Sequence, residues 1–439
     1  MPFEAVAMEP ARGGSPRRRI AVIGAGISGM GAAHRLADSH HVTLFESAAR
    51  LGGHARTVIA GKNGDQPVDT GFIVFNYANY PNLAALFDEL DVPVVKSNMS
   101  FGASIDGGRI EYALTSLNAV FAQRRNALNP RFIAMLRDIF RFNKHATRVA
   151  SDQSLTISEF LSVLGTGRYF KDYYLSPLSG AIWSTPTEKI MDFPAYAMVD
   201  FFRNHALLGY SGQHQWYTVQ GGSLSYVSRL EAAMRARRVD IRLNAAVQAV
   251  RRLEPGVQIK TWGGDWETFD EVIFATHSDD TLAMLADPDQ AEQASLGAIR
   301  YQPNDITLHA DARMMPSRRS TWASWVYTED SNTTSERIDL TYWMNSLQPI
   351  PMEDPHFVTL NTRRRIREEL IYDQVTLRHP VYDLAALAAQ KRIATTNGNR
   401  NTWFCGAWMR NGFHEDGLAS ALEVADRIER GAALPIAAE

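Results

Sequence analysis

The pattern of apolar and polar positions is most regular near the start of the chain. Four apolar residues, Ile20–Ile23, predict a buried strand, and a helix-compatible run follows as far as Leu36. Glycines separate the two in the order Gly24-x-Gly26-x-x-Gly29. A second largely apolar segment, Val42–Phe45, predicts another strand and leads directly to Glu46. This order of strand, glycine turn, helix, strand and acid is typical of the first half of a dinucleotide-binding domain.

Each glycine of this motif has a separate physical role. Gly24 permits the tight turn, Gly26 lets backbone N–H groups approach a pyrophosphate, and Gly29 allows close packing of helix on sheet. The diphosphate would then lie at the positive end of the helix dipole. Glu46 follows Gly24 by 22 positions, where such a fold places the acid that accepts from ribose hydroxyls. The alternative, an ordinary glycine-rich turn, does not account for that acid.

A second glycine-containing segment follows the acid directly. It reads Ser47-Ala-Ala-Arg50-Leu-Gly52-Gly53-His54-Ala-Arg56-Thr57, and Val68-Asp69-Thr70-Gly71-Phe72-Ile73 comes shortly afterwards. The glycine pair offers another bare-backbone approach to phosphate, and the two arginines offer cationic forks. The segment resembles the extended fingerprint of the flavin amine oxidase, protoporphyrinogen oxidase and phytoene desaturase superfamily. This resemblance implies FAD, with the glycine pair beside the pyrophosphate and the Asp-x-Gly stretch near the isoalloxazine.

The far end of the chain carries a matching motif. Thr402–Cys405 predicts a strand, Gly406-Ala407 a break, and Gly412-Phe413-His414-Glu415-Asp416-Gly417 the start of a helix. It resembles the closing motif of the superfamily, whose helix begins at the flavin pyrimidine and ribityl chain. The resemblance covers about Arg19 to Arg430. It is closest to a bacterial and plant subgroup often associated with enzymes that form cyclopropane or methyl fatty acids.

The resemblance also identifies candidate site residues. Val247 is expected to contact adenine through its backbone, and Thr276 ends a strand near the nucleotide. The expected FAD-binding residues are Gly24, Gly26, Ile27, Ser28, Gly29, Glu46, Ser47, Arg50, Gly52, Gly53, His54, Arg56, Thr70, Gly71, Phe72, Ile73, Val247, Thr276, Gly406, Ala407, Phe413, His414, Glu415, Asp416 and Gly417. The candidate catalytic residues are His414, Glu415, Tyr77 and Asn345. The alternatives are that His414 and Glu415 cap the helix and bind FAD, and that Tyr77 is simply packed. No metal site is expected.

The predicted fold is α/β, with a discontinuous Rossmann-like FAD-binding domain and an inserted α+β substrate domain containing a mixed or antiparallel sheet. The FAD-binding domain is assigned to residues 17–95, 212–290 and 395–432, and the substrate domain to 96–211 and 291–394. Residues 1–16 are predicted to be a disordered tail, because they are small and contain proline and glycine.

Composition narrows the cellular setting. A net charge of −3 over 439 residues gives no indication of nucleic-acid binding. The single cysteine, Cys405, excludes internal disulfides, fits the cytoplasm, and is expected to be a small core residue that leaves FAD bound non-covalently. No apolar run approaches 18 residues, and the arginines at 17–19 precede a nucleotide-binding strand, so an export signal is not expected.

One predicted helix, 131–148, combines an apolar stripe with a basic face. Arg137, Arg141, Lys144 and Arg148 share that face, and Arg124 to Arg148 holds seven cations and one acid, a local charge of +6. One interpretation is contact with anionic phospholipid, which would place the protein peripherally on the inner face of the membrane. The other is a solvated outer face. The sequence is compatible with an oligomer.

Two further observations concern the class of substrate. Residues 175–186, with Phe193, Phe201 and Phe202, carry little charge, which favours either an apolar tunnel or a core. Amine-oxidising relatives place a lysine near flavin N5, where Asn304 or Asp305 is expected here, and Phe413 takes the position of one of their two tyrosines.

The subgroup resemblance, the basic amphipathic helix and the missing lysine favour an FAD-dependent oxidoreductase that desaturates a hydrophobic substrate, namely a modified fatty acyl chain of a phospholipid. One alternative is an amine oxidase acting on a small amine or polyamine. The other is a flavin-dependent isomerase or a non-catalytic FAD partner protein.

Overall fold

The computed structural model describes residues 17–152, 154–183, 191–205, 207–209, 214–329 and 338–431. The predicted tail at 1–16 lies outside these residues. Two further predictions fall outside them: residues 184–186 of the low-charge stretch 175–186, and the domain boundary at 211–212. The domain limits therefore stay a prediction.

The described residues contain β-strands and α-helices along their whole length. The strands are β1 (Arg19–Ile23), β2 (His41–Phe45), β3 (Thr57–Ala60), β4 (Gln66–Asp69), β5 (Val74–Phe75), β6 (Val94–Ser97), β7 (Phe101–Ile105), β8 (Ile110–Ala113), β9 (Trp216–Val219), β10 (Asp240–Arg242), β11 (Val247–Arg252), β12 (Val257–Thr261), β13 (Trp266–Phe269), β14 (Glu271–Phe274), β15 (Arg300–His309), β16 (Trp325–Thr328), β17 (Asp339–Trp343), β18 (Phe357–Leu360), β19 (Ile371–Val381) and β20 (Thr402–Phe404).

The α-helices are α1 (Ile27–Leu36), α2 (Pro81–Glu89), α3 (Leu117–Val120), α4 (Pro130–Val149), α5 (Ile157–Leu164), α6 (Arg168–Phe170), α7 (Ser176–Trp183), α8 (Ala195–Asn204), α9 (Leu224–Ala236), α10 (Ser278–Met284), α11 (Gln290–Leu296), α12 (Met344–Leu347), α13 (Leu384–Thr396) and α14 (His414–Glu429). Residues Lys171–Leu175 form a π-helical turn between α6 and α7. Short 3₁₀ helices connect several other elements.

A five-stranded parallel sheet forms the nucleotide-binding half, in the order β10-β2-β1-β14-β20. Helices α1, α9 and α14 cover one face, where Met30, Leu230 and Val424 belong to one buried cluster. The β11–β13 sheet and α13 cover the other face. Since both faces are covered, the central strands are continuous apolar runs, as the sequence predicts. Cys405, at the end of β20, is buried.

The second half is built on a seven-stranded sheet in the order β19-β15-β18-β17-β16-β7-β8. Only the β16–β7 pair in it is parallel. Helices α4, α5, α7 and α8 pack with this sheet in a single buried cluster that includes Phe142, Phe160 and Phe202. The α/β fold with a mixed second sheet is therefore confirmed. Across the described segments, no helix combines the length and apolarity needed to cross a membrane.

Candidate active site

A cavity of about 1440 Å³ runs from the glycine motifs of the parallel sheet into the second half of the chain. Small-molecule sites usually occupy roughly 300–1,000 Å³. The cavity can therefore hold a dinucleotide together with a second molecule. Its walls come from the carboxyl edge of the parallel sheet, from β15 and β19, and from α3, α4 and α7.

The three glycines of the first motif have different surroundings. Gly24 has φ +96°, and a Cβ there would lie 2.9 Å from the Ala275 carbonyl oxygen. A Cβ on Gly29 would lie 1.8 Å from the Gly24 carbonyl oxygen. At Gly26 nothing lies within 4 Å of the same position, although the residue lines the cavity. Gly24 and Gly29 therefore serve the fold, whereas Gly26 keeps a space open inside the cavity.

Helix α1 begins at this open space. Its N-cap, Gly26, makes no side-chain hydrogen bond, and no acidic residue lies in the first turn. The N-terminal N–H groups of a helix need partners, and the helix dipole favours an anion there. The start of α1 therefore fits a phosphate group.

The second glycine pair packs directly against the first motif. The Gly52 N–H donates to the Ala25 carbonyl at 2.8 Å, and a Cβ on Gly53 would lie 3.0 Å from the Gly26 Cα. The Arg50 guanidinium donates to the carbonyls of Leu51, Gly53 and Ala55. Arg50 thus holds the second loop in shape while also lining the cavity.

Glu46 connects the two loops. Its carboxylate accepts from the Ala25 N–H at 2.7 Å and from the Ala48 N–H at 2.8 Å. The side chain lines the cavity at the carboxyl end of β2, as expected for the acid that accepts from ribose hydroxyls. The open helix start, the bare glycine backbone and this acid together fit a dinucleotide.

His414 lies in the cavity wall at the start of α14. Its Nε2 is hydrogen-bonded to the Tyr226 hydroxyl at 2.5 Å, and its ring stacks on Phe72 with centroids 4.0 Å apart. Burial lowers the pKa of His414 to about 3 and raises the pKa of Tyr226, so both side chains are neutral. His414 is therefore a neutral hydrogen-bonding group, as in the binding alternative above.

Glu415 points away from the cavity. Its carboxylate accepts from the backbone N–H and the side-chain amide of Asn82 at 3.1 and 2.6 Å, and from the Leu83 N–H at 2.9 Å. It caps the start of α2, where a negative charge is favourable. The expected role of Glu415 as an acid or base is thus corrected to a helix cap.

Tyr77 and Asn345 also lie outside the cavity wall. Tyr77 is 47% exposed, and its ring packs on Phe75 and Tyr217. The Asn345 amide donates to the carbonyls of Pro351 and Asp354, and its oxygen accepts from the His356 N–H. Asn345 braces a loop and Tyr77 packs at the surface, so the structure places neither where it could reach a reacting atom.

Most of the expected FAD-binding residues line the cavity. They are Gly24, Gly26, Ile27, Ser28, Glu46, Ser47, Arg50, Gly52, Gly53, His54, Thr70, Gly71, Phe72, Ile73, Thr276, Gly406, Ala407, Phe413 and His414. The expected residues that do not line it are Gly29, Arg56, Val247, Glu415, Asp416 and Gly417.

Three of the residues that do not line the cavity support its walls. Arg56 makes a two-pronged ion pair with Asp373 at 2.7 and 3.0 Å, which links the second glycine loop to β19. The Asp416 carboxylate accepts from the Phe413 N–H. A Cβ on Gly417 would lie 2.8 Å from the Ser28 Oγ, so this glycine lets α14 approach the start of α1.

Three histidines in the cavity wall were not expected as a group. His54 lies 5.8 Å from His277 and 5.7 Å from His379 by ring centroids. Burial is the main cause that lowers the pKa of each. The positive charges of Arg50 and Arg378 add to this effect at His54, and His54 adds to it at His277 and His379, whose pKa values fall to about 3. These rings are therefore neutral. His277 lies in the loop between β14 and α10, and its partly buried ring stacks on Tyr301 with centroids 4.3 Å apart.

The residues expected at the lysine position do not reach the cavity. The Asn304 amide donates to His379 Nδ1 at 3.2 Å and accepts from Asn361 at 2.8 Å, so His379 stands between Asn304 and the cavity. Asp305 is exposed and accepts from the Thr376 hydroxyl on β19. Among the described residues of the cavity wall there is no lysine.

Beyond Phe413 the cavity continues as an arm with apolar walls. Apolar side chains line it from four helices or their ends, from the seven-stranded sheet and from β9, including Phe121, Leu136, Ile139, Leu178, Ile182, Phe201, Trp216, Trp325, Tyr342 and Leu360. The charged lining residues Glu46, Arg50, Asp280 and Arg378 lie at the nucleotide end. Within the part of the wall that the structure describes, the arm carries no charged side chain. Leu175 and Phe202 lie in the buried core and not in the cavity wall. The described part of the low-charge group (175–186, Phe193, Phe201 and Phe202) therefore supplies both tunnel wall and core.

Comparison with known proteins agrees with this geometry. Residues 27–350 match the family model of flavin containing amine oxidoreductases. No curated protein matched the chain.

Similar solved structures share the fold. They include a CLA-producing fatty acid isomerase from P. acnes (15% identity, TM-score 0.67, 94% of this chain and 98% of that one). A putative protoporphyrinogen oxidase from Exiguobacterium sp. 255-15 matches at 15% identity and TM-score 0.67 over 95% and 100% of the two chains. A putrescine oxidase with bound putrescine matches at 14% and 0.66 over 95% and 99%. The chain belongs to the flavin-containing amine oxidoreductase family and is an FAD-dependent oxidoreductase.

Proposed function

We propose that this enzyme is a dehydrogenase that desaturates a fatty acyl chain of a lipid, with a methyl-branched or cyclopropane-related phospholipid chain as its substrate. The observation that carries the proposal is the apolar arm beyond Phe413, whose described walls hold no charged side chain. The fold is compatible with this substrate class, since one of the similar structures is a fatty acid isomerase.

Burial energetics favour an acyl chain over an amine in this arm. Each buried methylene contributes roughly 0.8 kcal/mol, so ten of them would contribute about 8 kcal/mol. A protonated amine would lose its hydration there without a carboxylate partner, at a cost of several kcal/mol. Cation–π contacts with aromatic faces such as Trp216 and Tyr342 would offset about 2 kcal/mol of that cost. The absence of a lysine from the described wall agrees with this preference.

Desaturation removes a hydride from one carbon and a proton from its neighbour. When bound, FAD supplies the acceptor for the hydride and both its electrons. The proton needs a base, and we assign this role to His205. Its ring stacks on Phe201 with centroids 3.9 Å apart, lies 5.6 Å from Phe413 and lines the arm.

The hydrogen bonding of His205 suits a base. Its Nδ1–H donates to the Phe201 carbonyl at 3.0 Å, which assigns Nε2 as the unprotonated nitrogen. Burial lowers the pKa of His205, so the ring is neutral at neutral pH and can accept a proton. His414 is not assigned this role, because its Nε2 is already hydrogen-bonded to Tyr226.

Anaerobic mixing tests the proposal. The FAD-loaded protein is mixed with phospholipids carrying methyl-branched, cyclopropane or unmodified acyl chains, and separately with putrescine and spermidine. Visible flavin absorbance is followed, and the lipid products are analysed by mass spectrometry. We expect bleaching by a lipid, with a product lighter by two hydrogen atoms. Bleaching by polyamines alone, or a lipid product of unchanged mass with a moved double bond, would overturn the proposal.

A further inference from the structure

The apolar arm opens at the surface between α3 and α4. Three side chains both line the cavity and are strongly exposed: Leu114 (41%), Leu117 (79%) and Phe140 (56%). They define the mouth of the arm, which we call the rim. Ile133 lies seven residues, about two full turns, before Phe140 on α4 and extends this exposed apolar edge.

Helix α4 presents three faces around this rim. Phe132, Met135 and Phe142 are buried against the domain core. Leu136, Ile139 and Asn143 face the cavity. The third face carries the exposed cations Arg137, Lys144 and Arg148.

The basic face lies directly beside the exposed apolar edge. Arg137 and Lys144 lie three residues before and four residues after Phe140, so they are its neighbours on the helix surface. Arg141 and Arg148 continue the same face. The acid of this stretch, Asp138, is buried and accepts from the Gly167 N–H at 2.8 Å. Its other oxygen lies 4.0 Å from Arg137 Nε, so it offsets part of that one charge and leaves Arg141, Lys144 and Arg148 to the basic face.

We propose that the rim and the basic face of α4 dock on an anionic phospholipid bilayer, so that an acyl chain passes from the bilayer into the arm. Exposed apolar side chains beside a row of cations match the boundary between acyl chains and anionic head groups. A bilayer is favoured over a protein partner because the apolar rim is continuous with an apolar cavity. The passage of the acyl chain rests on the proposed function, but the docking itself does not.

Vesicle binding tests this surface without turnover. The full FAD-loaded chain is sedimented with phosphatidylcholine vesicles, with and without phosphatidylglycerol, at low and high salt. We expect binding that requires phosphatidylglycerol and is lost at high salt. Each cation at an anionic surface contributes about fivefold in affinity, so Arg137→Glu with Lys144→Glu should weaken binding by at least about 25-fold. The exposed pair Arg363→Glu with Arg365→Glu makes the same charge change elsewhere and should bind like the wild type.

The apolar part of the surface has its own variant. Leu117→Asp should abolish binding, whereas Leu384→Asp, at a residue 62% exposed on α13, should not. Equal binding to both vesicle types, no binding, or a dimer in solution that Leu117→Asp dissociates would each overturn the proposal. The double charge variant should still oxidise detergent-dispersed lipid. Loss of vesicle binding with that activity retained separates a failure of docking from a failure of the proposed function.

Discussion

The open space at Gly26 leads to a quantitative prediction for Gly26→Ala. Gly26 has φ −73° and ψ −177°, a conformation that alanine adopts without strain, and no atom would meet the new methyl group within 4 Å. The flavin-free protein should therefore be as stable as the wild type, or more stable by about 0.4–1 kcal/mol because alanine restricts the unfolded chain. The methyl group would, however, project to where the phosphate must approach the start of α1.

The cost of this substitution falls on binding. Loss of one charge-assisted hydrogen bond to phosphate costs about 1.5–3 kcal/mol, which raises the Kd for FAD roughly 10- to 150-fold. Titration calorimetry of flavin-free protein measures this change, and thermal unfolding of the same samples measures stability. Gly29→Ala is the contrasting variant, since its Cβ meets the Gly24 carbonyl at 1.8 Å and should lower stability by several kcal/mol. Wild-type FAD affinity in Gly26→Ala would refute the assignment of this space to phosphate.

Three further predictions concern single side chains. His205→Gln should lower kcat for the lipid substrate about 100-fold or more with little change in KM, and stopped-flow kinetics should show that the wild-type rate falls at acidic pH as His205 gains a proton. Glu415→Gln should cost about 1–2 kcal/mol of unfolding free energy without slowing flavin reduction. A rate of flavin reduction lowered as much as in His205→Gln would restore Glu415 as a catalyst. Burial raises the pKa of Asp69 to about 6, so the protonated carboxyl stabilises the fold fully below about pH 4. The free energy of unfolding should fall by about 3 kcal/mol as this contribution is lost while the pH rises through 6. Asp69→Asn should reduce this slope in denaturant titrations at several pH values. An unchanged slope would contradict the assignment, and Asp416, with its pKa also raised to about 6, should supply the remainder.

The nucleotide-binding loops could be predicted from the sequence because their determinants are local. Strand β1, the glycines and Glu46 follow one another within a single βαβ unit, and each residue type is required by backbone geometry or phosphate chemistry. The same holds for the basic face of α4, which depends only on helical periodicity.

The reacting end of the cavity could not be predicted in this way because its contacts join distant parts of the chain. Glu415 meets Asn82 across 333 positions, so sequence proximity to His414 suggested the wrong role. His379 faces Gln302 through the long β15–β19 pairing, and no local pattern indicates that register. His205 becomes a candidate only because α8 brings Phe201 beside Phe413.

The order of the parallel sheet has a consequence for biosynthesis. Strands β1 and β2 emerge from the ribosome well before β14, and β14 well before β20, yet all belong to one sheet. Pairing across such separations is slow, because the intervening loop must close before any contact stabilises it. The flavin pocket is complete only when α14 docks against α1, so cofactor loading follows translation of α14. A ribosome-stalled chain ending before residue 400 should therefore remain flavin-free and depend on chaperones.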